Sequence, residues 1–163
     1  MADLISAQEL FFNSAENKTS NRFILYIDGI PTYTIKSATR PKIVLETNEI
    51  HHININRKLK SGKTNWENMT IKLYDFVAPS TTQAVMEWIR LSHESTTGSD
   101  QYAQFYKKDI TFNVLGPVGD IIEDWTIKGA YIHDADFGEM SWEEGKPMEL
   151  TLTIAYDYAI LQF

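Results

Sequence analysis

The sequence predicts a mainly β domain, an antiparallel sandwich or barrel with one flanking α-helix, on three observations. Apolar and polar residues alternate along most of the chain, most regularly from Met148 to Tyr158, and a period of two sends successive side chains to opposite faces of a strand. Only Ala84, Val85, Trp88, Ile89 and Leu91 carry apolar residues at helical spacing. The 163 residues fit one domain, and a 43% hydrophobic share is enough to pack its core.

Residues 1–20 show no consistent face and read as an N-terminal arm, with Phe11-Phe12 available to dock. Residues 21–163 form the β domain. Phe23, Leu25 and Ile27 alternate with Ile24, Tyr26 and Asp28, and Asp28-Gly29 then predicts a hairpin whose return strand runs to about Ala38. A further extended run begins at Ile43 and Leu45 and reaches Ile53 and Ile55. Arg57 to Thr64 reads as a basic, flexible loop. A strand follows from Met69 to Phe76.

Pro79 and Ser80 open the helix, and Gln83 completes a capping-box pattern. Ile110, Phe112 and Val114 mark the next strand, Gly116-Pro117-Val118-Gly119 a turn, and Ile121 to Ile132 another strand. His133 to Gly145 reads as an acidic connection. The final strand places Met148, Leu150, Leu152, Ile154, Tyr156 and Tyr158 on one face. Glu149, Thr151, Thr153, Ala155 and Asp157 take the other, giving about seven strands and one helix in all.

Composition narrows the function. Without cysteine there is no disulfide, thiolate metal site or thiol nucleophile. No signal peptide is expected from the first residues, and no stretch approaches the roughly 18 apolar residues that a membrane span needs. Residues 1–80 carry 10 basic against 8 acidic side chains, and residues 81–163 carry 5 against 14. An acidic chain does not grip nucleic acid, whose affinity comes mainly from neutralised phosphates.

The motifs have ordinary explanations. Gly62-Lys63-Thr64 lacks the earlier glycine of a phosphate loop, because Arg57 stands there. His51 and His52 are neighbours on a strand and face opposite ways, so one is expected half-buried and one exposed. His133, Asp134, Asp136 and Glu139 miss the spacing of a calcium loop. No Gly-x-Ser-x-Gly elbow occurs. Neither metal nor cofactor is expected, and the chain reads as a non-enzyme. Trp88 and Trp125 fall on core faces, whereas Trp66 and Trp142 fall in or beside loops and suit a partner interface.

Several stretches then occur in a telling order: Asn56-Arg57-Lys58, a Gly-containing loop, Trp66, a strand ending near Asp75, and a helix with Trp88. Tyr106-Lys107-Lys108, Trp125-Thr126-Ile127-Lys128-Gly129, Met140-Ser141-Trp142 and Leu150 to Tyr158 complete it. From about residue 20 to 160 the chain resembles the tail tube proteins of contractile-tailed bacteriophages, which are related to pyocin and type VI secretion tubes.

The resemblance implies a structural virion protein, assembled in the host cytoplasm. Its hexameric rings share a continuous inner β-barrel and stack into a tube inside a contractile sheath. The implied partners are other copies, the tail sheath protein, baseplate and tube-terminating proteins, and DNA in transient, non-specific passage. Arg57, Lys58, Lys60, Lys63 and Trp66 are the expected ring-stacking residues. Glu149, Thr151, Thr153 and Asp157 are the expected lumen face, acidic enough to let DNA slide, with the outer ring surface as the alternative for that face. A secretion or bacteriocin tube, and a carbohydrate-binding sandwich using Trp66 and Trp142, stand as alternative functions.

Overall fold

The computed structural model describes residues 16–162, so the Phe11-Phe12 pair lies outside the described residues. In chain order the elements are β1 (Phe23–Tyr26), β2 (Ile35–Ala38), β3 (Lys42–His52), β4 (Ile55–Glu67) and β5 (Met69–Tyr74). Then follow α1 (Thr81–Ser92), a single turn α2 (Ala103–Tyr106), β6 (Lys108–Leu115), β7 (Ile121–Asp136), β8 (Glu149–Ala155) and β9 (Tyr158–Leu161). The fold is mainly β and antiparallel, as the alternation predicts.

Seven strands form one bent sheet, and β3 and β4 form a separate ribbon. The long strand β7 makes the bend. Its first half pairs with β6 and β9, and β6 carries β1; its second half pairs with β8, which leads to β5 and then β2. Gly129, at φ +67, sits between the two halves. The bend turns Leu25, Phe112 and Ile127 of one half toward Met69, Ile71, Leu73, Leu150, Leu152 and Ile154 of the other. All belong to one buried cluster. Burying a large aliphatic side chain contributes about 1.5–3 kcal/mol, so this cluster is the main source of stability.

Helix α1 closes the core with Val85 and Trp88, and the Trp88 indole donates to the Tyr106 carbonyl at 2.8 Å. Leu91, assigned to the apolar stripe by spacing, is instead 40% exposed in the last turn. The Ser80 cap forms weakly, its hydroxyl accepting from the Gln83 amide at 3.5 Å. Asp75 contributes more. Its carboxylate accepts from the Thr81 and Thr82 amides at 3.1 and 3.3 Å and from the Thr82 hydroxyl at 2.6 Å, filling orphan donors of the first turn.

Four expectations need correction. The Asp28-Gly29 turn forms, with Gly29 at φ +86 and one bridge between Ile27 and Ile30, but no hairpin grows from it. Pro31 has no amide to donate to a ladder, a 3-10 turn at Thr32–Thr34 follows, and β2 pairs with β5 instead. The stretch from Arg57 to Thr64 is β-strand, held entirely by pairing with β3. The connection after Ile132 begins only past Asp136, because Asp134 and Asp136 pair with Thr153 and Thr151. Lastly, the final strand is two: β8 stops at Ala155, and β9 crosses to the other half of β7, which leaves Tyr158 48% exposed.

Candidate functional site: an outstanding hairpin and a polar sheet face

β3 and β4 continue the edge pair β2–β5 beyond the sheet. The Thr39 amide donates to the Thr70 carbonyl at 3.0 Å, and the Lys42–Glu67 ion pair at 2.7 Å marks the base of the ribbon. Strands of this length extend about 35 Å at roughly 3.3 Å per residue. Every residue of β3 is exposed, and in β4 only Ser61 and Trp66 are half-buried. A two-stranded ribbon is marginally stable alone in water. This one has little to hold it beyond its own ladder and the Trp66 contact at its base.

Cross-strand pairing assigns its faces. Thr47–Lys60, Glu49–Lys58 and His51–Asn56 are opposite pairs on one face of the outer half. Asn48–Leu59, Ile50–Arg57 and His52–Ile55 alternate with them and lie on the other. One face is thus polar and carries the Glu49–Lys58 ion pair at 3.2 Å. The other presents Ile50, Ile55 and Leu59, each about half exposed or more. At the tip Ile53 is 93% exposed at φ 51, a conformation costly for a β-branched residue.

This geometry separates the residues expected to act together in ring stacking. By the strand alternation Lys58 and Lys60 share the polar face and Arg57 belongs to the apolar one, whereas Lys63 falls in the register shift between Lys60 and Thr64. Trp66 turns toward its own domain, with its ring 6.0 Å from that of Tyr156. That takes it out of any paired platform with Trp142. Gly62-Lys63-Thr64 lies inside β4, where strand backbone cannot curl around a phosphate. Both His51 and His52 are exposed; neither is half-buried, since the ribbon has no covered side.

The outward face of β8 holds Glu149, Thr151 and Thr153, as the alternation predicts. Asp157 is not part of it. It lies past the end of β8, where its amide donates to the Lys128 carbonyl at 3.0 Å and its carboxylate takes Lys107 at 2.8 Å. Neighbouring strands add Thr70, Lys72 and Tyr74 from β5 and Asp134 and Asp136 from β7. Lys36 pairs with Glu149 and lies over the Tyr74 ring. The Glu149 contact holds the Lys36 ammonium above its ordinary range. Three carboxylates face two lysines, so the face is mixed in charge and not the acidic wall expected. Sequence reasoning missed Lys36, Lys72, Asp134 and Asp136 because strand order is not legible locally.

Among the described residues no helix is long and apolar enough to cross a membrane. No family model matches the chain, and no curated protein does. Solved structures do. A chain of the anti-feeding prophage cap, described as the tube-terminating cap, is 19% identical with a TM-score of 0.74, covering 97% of this chain and 99% of that one. A chain of the PVC sheath–tube complex, from an extracellular contractile injection system in the extended state, is 20% identical with a TM-score of 0.70, covering 98% and 99%. Hcp1 from Flavobacterium johnsoniae is 14% identical at a TM-score of 0.55, covering 86% and 94%. The chain has the fold found in tube-like and cap components of contractile injection systems.

Proposed function

We propose that this protein is a structural subunit of the tube of a contractile particle, closing hexameric rings that stack along the tube. The observation that carries this reading is the β3–β4 ribbon, a long two-stranded element with an apolar face and no cover among the described residues. A neighbouring copy would supply that cover. The open edges of β1 and β2 offer further pairing sites. Residues 21–163 act as the ring-forming unit and residues 1–20 as an arm.

In this arrangement the polar face of Thr151, Thr153 and Glu149 lines the channel. Lys58 and Lys60 set register against acidic surface on the next ring, because charge complementarity selects orientation more than it adds affinity. The sheath, baseplate and tube-terminating proteins are the other partners, and the role is structural, not catalytic. In a phage tail the cargo is the genome, passing without specific contacts. A second reading, favoured by the likeness to injection-system components, is a particle whose tube delivers protein.

Sedimentation velocity of the purified protein tests the proposal. Rings and stacks should sediment at multiples of the 18.7 kDa chain mass. A single 18.7 kDa species across the concentration range would exclude it. Reversing Lys58→Glu and Lys60→Glu together should leave rings but block their stacking.

A further inference from the structure

Two separate surface features complement one another. The first is a cleft of about 320 Å³ between Phe23, Phe112 and Val114 of one half of the sheet and Ala38 and Arg40 at the exit of β2. Half-buried Phe23 lines it, stacked on the buried ring of Phe112 with centroids 5.8 Å apart. Lys18, Arg22 and Arg40 stand around it. Lys18 and Arg40 share the buried carboxylate of Glu123, and Arg22 has no ion pair among the described residues. In a chain of net charge −7 the cleft carries an excess of two positive charges.

The second feature is the loop between β7 and β8. Trp142 is fully exposed at its crest, and Met140 is 84% exposed. Glu139, Glu143 and Glu144 flank them in the sequence, and only Glu144 has an ion pair among the described residues, with Lys146 at 3.0 Å. The loop carries an excess of two negative charges around a bare indole. A large aromatic side chain left wholly in water is the kind of group that anchors interfaces when it enters a pocket.

Within one copy the two do not meet, since Trp142 is fully exposed. The loop ends at Glu149, opposite Tyr74 and beside Lys36. On one side of the cleft Ala38 lies opposite Ile71, and Ile71 opposite Leu152. Its other side, Phe23 and Val114, belongs to the half of the sheet built on β6.

We propose that the Glu139–Glu144 loop of one copy seats Trp142 against Phe23 in this cleft of a neighbouring copy, with Glu139 and Glu143 facing Lys18, Arg22 and Arg40. The contact is head-to-tail, the type that propagates into closed rings or stacks. It rests on the self-assembly proposed above and names one of its interfaces.

Disulfide trapping tests it in a chain that has no cysteine of its own. Under oxidation, the double variant Ser141→Cys with Thr19→Cys, which keeps Trp142, should give a ladder of covalent multimers on a denaturing gel, and neither single variant should. Assembly by sedimentation without a ladder, or a cross-link confined to monomer, overturns the contact while leaving self-assembly intact. Absence of assembly in the unsubstituted chain overturns both. As a second arm, Arg22→Glu should lose the assembled species, and adding Glu143→Arg should restore it. Failure of that restoration in a variant with an unchanged thermal midpoint counts against the pairing.

Discussion

The carboxylate of Asp157 rests against the bare Cα of Gly129, so that a Cβ at position 129 would collide with it. The contact pins the corner between β8 and β9 to the bend of β7. Gly129 also holds φ +67, a region that L side chains avoid. Gly129→Ala should therefore destabilise the domain by about 1–3 kcal/mol, read as a fall in the urea midpoint. An unchanged midpoint would show that the corner yields without cost.

Trp88 should be the most sensitive position of α1. It is 2% exposed and its indole is hydrogen-bonded. Truncating such a residue costs about 3–5 kcal/mol, so Trp88→Ala should be insoluble or unfold at much lower denaturant. Trp88→Phe should lie between, keeping the ring and losing the bond to Tyr106. Equal stability of both variants and the parent would contradict this packing.

Asp75 should matter more to the helix than Ser80, although Ser80 occupies the formal cap position. Asp75→Ala removes two amide contacts and a hydroxyl contact and should cost about 1–2 kcal/mol. Ser80→Ala loses one bond at 3.5 Å and should cost less. Thermal unfolding of the two variants side by side gives the ranking, and the reverse order would count against the Asp75 cap.

Glu123 gives an acid-side signature. Its contact with Lys18, together with the Trp125 indole and Arg40, holds its carboxyl below the ordinary value of 4.5. A carboxyl depressed on folding contributes stability above its unfolded pKa and loses it as pH falls through the folded one. Stability should thus decline below about pH 4.5, and Glu123→Gln should be less stable at neutral pH with a shallower acid decline. Parallel acid profiles for the two proteins would remove Glu123 from the account.

The sequence makes β8 legible because one face is buried in the core. Leu150, Leu152 and Ile154 repeat every second residue, and all three are fully buried. The same rule fails for β4. Only Trp66, at its base, packs against the core, so Arg57 to Thr64 carries no alternation and reads as loop. Asp157 shows a different limit. Its parity with Glu149 holds along an unbroken strand, but the chain leaves β8 at Ala155, and parity says nothing about where a strand ends. The Asp75 cap was hidden for a related reason, because it reaches α1 from five residues before the formal cap. The polar sheet face was half legible: Glu149, Thr151 and Thr153 follow from one strand, whereas Asp134 and Asp136 follow only from strand order.

In the proposed assembly another copy of the chain completes the β3–β4 ribbon. Electron microscopy of negatively stained protein, comparing the parent with a triple variant Ile50→Thr, Ile55→Thr and Leu59→Thr, tests it most directly. Threonine keeps the strand propensity of these positions while removing their apolar contact area. None of the three lies in the core, so the thermal midpoint of the isolated domain should hold. The parent should form rings or rods, and the variant should give dispersed particles. Rings or rods of equal abundance from both proteins would contradict it.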